Sequence, residues 1–352
     1  MAEGDTAQDL YSGTKEVAES HRFDEAKLAA WMQENVEGYE GPLVVRQFKG
    51  GQSNPTYQLI TPKKKYVMRR KPPGTLLPSA HAVDREFRII NALYPLGYPV
   101  ARPYGLCMDE EVAGTIFYVM DMVEGRILWD GTLPDSTPAE RRAIYEAKVK
   151  TFADLHNVDW RKAGLEGFGK EGDYIARQIH RWTKQYKASE TMHIPEMEQL
   201  IEWLPKNIPP GETTTIVHGD YRLGNMMVEP GRIRAVLDWE LCTLGDPLAD
   251  FGYLLNSWVL PEDGTADLVP TTAGGFPSRD LLTARYAKAT GRDLSQINYY
   301  RAFSHWRLAA IGQGVYKRYL VGAMGENRGM DLEAYKQSVT NRAVAALQLL
   351  QS

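Results

Sequence analysis

The sequence predicts an α+β protein with a strand-rich N-terminal part and a mostly helical C-terminal part. Short β-rich segments begin at Leu43, and a further buried strand is predicted over 115–120. After residue 121 the apolar residues recur mainly at helical spacing. We therefore predict three regions, which are a mobile polar tail over 1–22, an N-terminal lobe over 23–120 and a C-terminal helical lobe over 121–352.

The composition is that of an ordinary globular protein. Apolar residues make up 43% and charged residues 24% of the 352 residues, and the net charge is −4, which argues against a nucleic-acid partner. No apolar run approaches the length that spans a membrane. Cys107 and Cys242 are too few for a disulfide framework. The acidic, polar start lacks the features of a signal peptide, so we expect a cytoplasmic protein.

The most informative stretch runs over 216–225 and continues through a second apolar strand to Asp238. Asp220 is followed by Asn225 five residues later and by Asp238 eighteen residues later. In phosphoryl transfer an aspartate accepts the proton of the attacking hydroxyl, while an Asn and a second Asp hold Mg²⁺. One Asp or Asn alone would be explained as a turn former, because its side chain bonds its own backbone. Three at these spacings predict Asp220 as the base and Asn225 and Asp238 as metal ligands.

The loop over 49–55 is a second candidate element. Its residues Gly51, Gln52, Ser53 and Asn54 are small or polar, so backbone amides there could approach the phosphates of a nucleotide. An ordinary hairpin loop explains the same residues equally well, and the sequence contains no G-x-G-x-x-G. If the loop covers phosphates, we expect these four residues to make the contacts.

Basic residues end the third predicted strand. In kinases a basic residue at this place contacts the α and β phosphates and pairs with a Glu on the next helix. Arg69 fills the position, and the helix predicted from about 82 to 93 contains Glu86, which we choose as the partner in preference to Asp84. Successive strand residues face opposite sides, so only one of Arg69 and Arg70 can point into the cleft, and we choose Arg69.

Taken together, these residues resemble the aminoglycoside phosphotransferase and choline kinase family over about 43–325. Within this family, the sequence is most similar to the kinase domain found fused to acyl-CoA dehydrogenases. Its segments 51–56, 69–74 and 238–241 resemble sequence motifs typical of that domain. The resemblance implies a protein-kinase-like fold with a small β-rich N-lobe and a larger helical C-lobe. It also implies an ATP-dependent phosphotransferase that uses Mg²⁺ and an alcohol group as acceptor.

The resemblance implies roles for further residues. Met120 would shape the back of the adenine pocket, and the backbone of Asp121 and Val123 would bond the base. Arg222 stands where protein kinases place a Lys near the transferring phosphate, so we assign it to catalysis. Asp250 would brace the backbone of the catalytic loop.

The spacing of apolar residues leads to two further predictions. His156 follows an apolar helix face, and we interpret it as a hydrogen-bonded packing residue. Helices are predicted around 279–290, 295–320 and 331–350.

The C-terminal segment bears on the acceptor. Residues 281–352 contain ten basic residues against four acidic ones. If these helices line the acceptor site, as the resemblance implies, polycationic aminoglycosides fit poorly and an anionic hydroxy compound such as a hydroxyacyl-CoA fits better. A solvated basic surface explains the count equally well. The alternatives are an antibiotic phosphotransferase and, from another class, a nucleotide-binding pseudokinase or regulatory partner.

Overall fold

A computed structural model describes residues 12–50, 54–74, 81–229, 231–257, 274–322 and 331–351. They form two compact units, and each is described by itself. Unit 1 comprises Met1–Pro134, Trp160–Glu166 and Arg222–Cys242. Unit 2 comprises Asp135–Asp159, Gly167–Tyr221 and Thr243–Ser352.

The strands and helices are numbered in chain order over the described residues. The strands are β1 Thr14–Lys15, β2 Val44–Phe48, β3 Thr56–Ile60, β4 Lys65–Arg70, β5 Pro103–Cys107, β6 Phe117–Asp121, β7 Thr215–Val217, β8 Met226–Glu229, β9 Arg232–Val236 and β10 Thr243–Gly245. The α-helices are α1 Glu25–Asn35, α2 Val83–Leu93, α3 Glu110–Ala113, α4 Pro138–His156, α5 Tyr174–Ser189, α6 Pro195–Trp203, α7 Pro247–Asn256, α8 Arg279–Thr290, α9 Ile297–Leu320 and α10 Leu332–Gln351.

Unit 1 is built on a six-stranded antiparallel sheet in the order β1-β2-β3-β4-β6-β5. The predicted strands within 43–68 and 115–120 are confirmed as β2, β3, β4 and β6. Helix α1 begins after Asp24, whose side chain accepts hydrogen bonds from the amides of Ala26 and Lys27. Its buried residues Leu28 and Met32 join the core formed by alternate strand residues.

The structure corrects the sequence analysis at two edge strands. Ser12–Arg22 was predicted as part of a tail, yet Thr14 pairs with Phe48, and the amide of Ala18 donates to the Gln47 side chain at 3.0 Å. Strand β5 begins at Pro103 and carries an irregularity beside Gly105. Proline and glycine are depleted in strands and tolerated at sheet edges, so the local sequence pattern does not predict β5.

The hairpin β8–β9 packs with unit 1 although it lies far along the chain. Arg126 forms a backbone bridge with Val228, and the Val236 amide donates to the Pro99 carbonyl at 2.8 Å. The sequence predicts a lobe boundary at 120/121. The compact units instead divide first after Pro134, and these backbone bonds explain why the hairpin groups with unit 1.

Unit 2 is mostly helical, with a short antiparallel pair of strands, β7 and β10. Helix α9 packs against α5, α7 and α10, and its Trp306 is fully buried in the core. An added Cβ at Gly252 on α7 would come within 2.7 Å of the Tyr300 carbonyl carbon on α9. The glycine therefore allows the two helices to pack closely. Thr137 and Glu140 form the predicted capping box at the start of α4. Within the described part of the chain, no helix is long and apolar enough to cross a membrane.

Candidate active site

Arg69 and Glu86 are brought together in unit 1. Arg69 is the second-last residue of β4, and Glu86 lies on the first turn of α2. The Arg69 Nε atom lies 2.9 Å from Glu86 Oε2, and the two side chains are 12% and 1% exposed. This is a buried ion pair between the two residues that the sequence analysis chose.

Glu86 has two further partners besides Arg69. The Asn54 amide nitrogen donates to Oε1 at 2.9 Å, and the Tyr118 hydroxyl donates to Oε2 at 3.1 Å. Burial raises the pKa of Glu86 to about 7, while Arg69 opposes that rise. Burial alone would lower the pKa of Arg69, but Glu86 and Asp238 reverse the effect, so Arg69 stays a cation. Glu86 is therefore a buried anchor for Arg69.

The predicted phosphate-covering loop is only partly within the described residues. Gly51, Gln52 and Ser53 lie outside them. Asn54 is fully buried, and its amide binds Glu86 and, through its oxygen, the ring of His81 at 3.1 Å. The Asn54 side chain is thus engaged in fixing Glu86, and a contact of this residue with phosphate stays a prediction that concerns its backbone.

Arg70 faces the opposite side of the sheet, as the alternation of strand residues predicts. Its guanidinium donates to the Ala113 carbonyl at 2.7 Å and lies over the rings of Phe23 and Tyr57. Of the two neighbouring arginines, only Arg69 contacts Glu86 and Asp238.

Asn225 and Asp238 lie at the two ends of the β8–β9 hairpin. Met226 pairs with Val236, and the Leu237 amide donates to the Asn225 carbonyl at 2.8 Å, so the ladder brings the two candidate ligands side by side. Asp238 has a left-handed backbone conformation (φ 62°), which Asp tolerates better than most residues and which is frequent at functional sites. Both side chains supply the oxygen donors that Mg²⁺ prefers. The residues present fit a magnesium ion.

Arg69 also contacts the predicted metal ligand. Its Nη2 donates to Asp238 Oδ1 at 2.7 Å, and Glu240 Oε2 lies 3.8 Å away. The Asp238 side chain is 31% exposed, whereas Glu86 is almost fully buried. Arg69 is therefore held between a buried acid and an accessible one.

A cavity of about 600 Å³ lies within unit 1. Most of its lining is apolar with few polar groups, which is typical of small-molecule sites. The Asp121 amide donates to the Arg102 carbonyl at 2.8 Å, so an adenine contact at Asp121 would have to come from its carbonyl. The predicted site residues that line the cavity are Arg69, Met120, Asp121, Val123, Arg222, Asn225 and Asp238.

Trp129 also lines the cavity and was not predicted from the sequence. An added Cβ at Gly224 would come within 2.9 Å of Arg222 Nη1 and 3.4 Å of the Trp129 ring. Gly224 thus leaves room for Arg222 and Trp129 beside the two candidate metal ligands. No local signal marks Trp129, because a tryptophan after a turn is more often a core residue.

The predicted base, Asp220, belongs to unit 2. The loop before it is held by Asp250, whose carboxylate accepts from the amides of His218 at 2.7 Å and Gly219 at 3.0 Å. Burial would raise the pKa of Asp250, but His156 and the loop amides reverse this and lower it. The bracing role predicted for Asp250 is confirmed.

His156 is a packing residue, as predicted. It is buried against Phe152, and its Nδ1 lies 2.6 Å from the Tyr286 hydroxyl. Burial lowers its pKa.

Three residues around Asp220 were missed by the sequence analysis. The Tyr253 hydroxyl donates to Asp220 Oδ1 at 2.6 Å. Lys148 is buried, and burial lowers its pKa to about 8 while Asp220 favours its charged form. Arg307 extends its Nη2 toward the Gly219 carbonyl at 3.5 Å. Only Tyr253 carried a usable signal, because it lies one helical turn after Asp250 and so on the same face.

Comparisons with known proteins identify the family of this chain. The profile of the phosphotransferase enzyme family APH matches residues 44–292. The chain belongs to this family. Homo sapiens acyl-CoA dehydrogenase family member 11 is 40% identical over 351 residues, which cover 96% of this chain and 44% of that protein. Mus musculus acyl-CoA dehydrogenase family member 10 is 47% identical, over 80% of this chain and 27% of that protein. The chain thus spans less than half the length of these relatives.

Solved structures confirm the predicted α+β, protein-kinase-like fold class. A Ralstonia eutropha protein assigned as an aminoglycoside phosphotransferase is 44% identical, with a TM-score of 0.83 over 94% of this chain and 99% of that one. Spectinomycin phosphotransferase in complex with ADP and spectinomycin is 13% identical, with a TM-score of 0.59 over 93% and 98% of the two chains. The second likeness is evidence of fold alone.

The ion pair leads to a first prediction, which is energetic coupling between Arg69 and Glu86. Arg69→Ala and Glu86→Ala should each weaken nucleotide binding, and the double variant should lose less than the sum by about 1–3 kcal/mol. The reason is that either single change already releases Arg69 from its buried anchor. Calorimetric titration of the four proteins with MgATP measures the coupling.

Asp84→Ala is the matched control, because it removes an acid from the same first turn of α2. We expect it to bind MgATP like the wild type. Additive losses in the Arg69 and Glu86 variants would mean that the two residues act separately.

Proposed function

We propose that the protein is an ATP-dependent small-molecule kinase that uses Mg²⁺ and transfers the γ-phosphoryl group to a hydroxyl. The observation that carries this proposal is Arg69, which is held between buried Glu86 and accessible Asp238 on the wall of one cavity. A fixed cation next to oxygen ligands suits the β and γ phosphates of a nucleotide. Membership of the phosphotransferase family supports the same chemistry.

The nucleotide contacts follow from the lining of the cavity. Met120 and Val123 would contact adenine, while Arg69 would contact the phosphates. Asn225 and Asp238 would hold Mg²⁺, which neutralises phosphate charge when it is bound. Arg222 would contact the transferring phosphoryl group.

Asp220 would act as the base toward the acceptor. A carboxylate that accepts the hydroxyl proton makes the acceptor oxygen a better nucleophile toward phosphorus. The Asp250 carboxylate accepts two backbone amide hydrogen bonds from the loop that carries Asp220, and these bonds fix that loop. All positions that the chemistry requires carry competent residues, which favours an enzyme over a pseudokinase.

We propose an anionic acceptor. The support comes from the position of Arg307 more than from the excess of basic over acidic residues in 281–352. Arg307 lies beside the catalytic loop, and its Nε is buried without a hydrogen-bond partner among the described residues. Five other basic residues of the segment bind elsewhere in unit 2, so we do not assign them to the acceptor. Their partners are Glu146 for Arg285, His156 for Arg292, Asn256 for Arg301, Ala188 for Lys317 and Glu333 for Lys336.

A hydroxyacyl-CoA is the acceptor we put first. Its thioester is attached to a phosphorylated carrier, so it combines a hydroxyl with negative charge. The similarity to proteins named as acyl-CoA dehydrogenases supports this choice.

Cys107 and Cys242 are free and buried, which supports the proposed cytoplasmic setting.

The acceptor is tested with ATP and a set of hydroxyacyl-CoA compounds that carry the hydroxyl at each position of the acyl chain in turn. Kanamycin serves as the competing acceptor. We expect ADP release with at least one acyl-CoA and a kcat/KM for kanamycin well below about 10⁴ M⁻¹s⁻¹. Efficient phosphorylation of kanamycin would instead assign the protein to antibiotic modification.

Arg307→Met then probes the anionic contact. The KM for the acyl-CoA should rise by about tenfold or more, because one charge-assisted contact is lost. Lys288→Met, which removes a cation from α8, is the matched control and should leave this KM unchanged. An unchanged KM in Arg307→Met would remove Arg307 from the acceptor site.

A further inference from the structure

We infer that Tyr253 is the residue that positions the catalytic base. Its hydroxyl donates to Asp220 Oδ1 at 2.6 Å, a short distance typical of a hydrogen bond to a carboxylate. No residue of α7 other than Asp250 was assigned a role in the sequence analysis. The inference rests on the proposed function, in which Asp220 receives the proton of the acceptor.

Helix α7 holds the catalytic loop at two levels. Asp250 accepts hydrogen bonds from the backbone amides of His218 and Gly219, and Tyr253, one turn later, binds the side chain of Asp220. The backbone and the reactive side chain are thus fixed by the same rigid element. Such support is what a base needs, because small displacements of a reacting group cost rate.

Arg307 lies close to Tyr253. The Arg307 guanidinium lies 5.9 Å from the centre of the Tyr253 ring, and its Nη2 points to the carbonyl of Gly219 at 3.5 Å. Arg307 therefore contacts both the ring and the loop that carries the base. A cation near an aromatic face is weakly attractive.

The hydrogen bond has a defined chemical consequence. It occupies one side of Oδ1 and so fixes the rotation of the carboxylate, which determines the direction in which the proton is accepted. During transfer the acceptor oxygen bonds to the γ-phosphorus, the bond from that phosphorus to the bridging oxygen breaks, and ADP leaves. The acceptor proton moves to the Asp220 carboxylate, while Tyr253 keeps its own proton.

Several charged or titratable groups face Asp220. They are Lys148 on α4, Arg307 on α9, Tyr253 on α7 and, in the loop itself, His218, whose Nδ1 accepts the Asp220 amide at 3.2 Å. The Tyr221 hydroxyl binds the Lys148 carbonyl at 2.9 Å and ties α4 to the loop. A hydrogen bond donated to a carboxylate favours its charged form, so loss of the Tyr253 hydroxyl should raise the pKa of Asp220.

Tyr253→Phe tests the inference by kinetics with the best hydroxyacyl-CoA of the acceptor set. We expect kcat to fall about tenfold or more, while the KM values for MgATP and acceptor change by less than about threefold. The acid limb of the kcat profile should move to higher pH, because the base now takes up its proton at a higher pH.

Tyr299→Phe is the matched control. It removes a buried hydroxyl of the same unit, which donates to the Leu204 carbonyl at 2.9 Å. We expect it to alter thermal stability and to leave kcat and its pH profile unchanged. Equal effects of the two substitutions would reduce Tyr253 to a structural residue.

A second measurement does not depend on turnover. The pKa of Asp220 can be followed by carbon-detected NMR of the aspartate carboxyl groups, with Asp220→Asn to assign its signal. Tyr253→Phe should raise this pKa by about half a unit or more. An unchanged pKa together with an unchanged kcat would overturn the inference. No turnover by the wild type with any acceptor would overturn the proposed function instead, and the NMR result would still decide whether Tyr253 acts on Asp220.

Discussion

Replacing Asp220 with Asn or Ala is expected to reduce phosphoryl transfer by about 10²–10⁴-fold, because general base catalysis contributes a factor of that size. The nucleotide should still bind, since Asp220 acts on the acceptor hydroxyl. Initial rates with the best acceptor and calorimetric titration with MgATP measure the two effects separately. The Asn variant is the sharper test, because its side chain keeps an oxygen that can accept from Tyr253.

The control for this prediction is Asp154→Asn. Asp154 is a surface acid of unit 2 that pairs with Lys150 at 2.7 Å. We expect its loss to leave the rate unchanged, since an exposed pair of this kind contributes little. If the Asp220 variants kept more than about a hundredth of the wild-type rate, the residue would not be the base.

The second large effect is expected at Asp238. Asp238→Asn should weaken MgATP binding by about tenfold or more and lower the rate as well, because a neutral amide is a poor ligand for a divalent cation. The same change removes the negative charge from the 2.7 Å ion pair with Arg69. The effect should be specific to the metal, so the affinity for ATP without Mg²⁺ should fall much less.

Glu240→Gln is the control that separates charge from ligation. Glu240 also lies near Arg69, at 3.8 Å, so its loss removes a similar negative charge from the arginine. We expect the advantage that Mg²⁺ gives to ATP binding to survive in this variant and to disappear in Asp238→Asn. If Mg²⁺ improved binding equally in both variants, Asp238 would not be a metal ligand.

Much of unit 1 could be predicted because its signals are local. Strand alternation predicts that Arg69 and Arg70 face opposite sides of the sheet. The choice of Arg69, and of Glu86 on α2 as its partner, agrees with the structure. Asn225 and Asp238 follow from two short apolar strands joined by a turn. Each strand, helix and turn is specified by residues close together in the sequence, so the local pattern was sufficient to place these side chains, while the roles of Asn225 and Asp238 as metal ligands stay predictions.

The residues that were missed depend on contacts between distant parts of the chain. Asn54 and Tyr118 bind Glu86 from positions 32 residues away on either side, and no period connects them to it. Lys148 resembles an ordinary helix charge in the sequence, yet it is only 2% exposed. Burial of a lysine costs free energy, so its presence near Asp220 is informative only once the packing is known.

The prediction of a tail over 1–22 failed for a similar reason where the structure describes it. Thr14–Lys15 is a strand because the edge of β2 offers backbone partners, and nothing in its own side chains requires that conformation.

The basic C-terminal segment was misleading when only its charges were counted. The excess of basic residues indicated a single site for an anionic acceptor. Most of the arginines and lysines with contacts instead bind groups of the local structure, and Arg307 lies beside the loop that carries Asp220.

In the proposed reaction this chain moves the γ-phosphoryl group of ATP to the hydroxyl of an anionic acceptor with Asp220 as base. The most direct measurement incubates the protein with Mg²⁺, γ-labelled ATP and the hydroxyacyl-CoA set, and follows the label by chromatography and mass spectrometry. We predict that the wild type produces one phosphorylated acyl-CoA and that Asp220→Asn does not. Label that stays on ATP with every acyl-CoA, or an equal yield from both proteins, would contradict the claim.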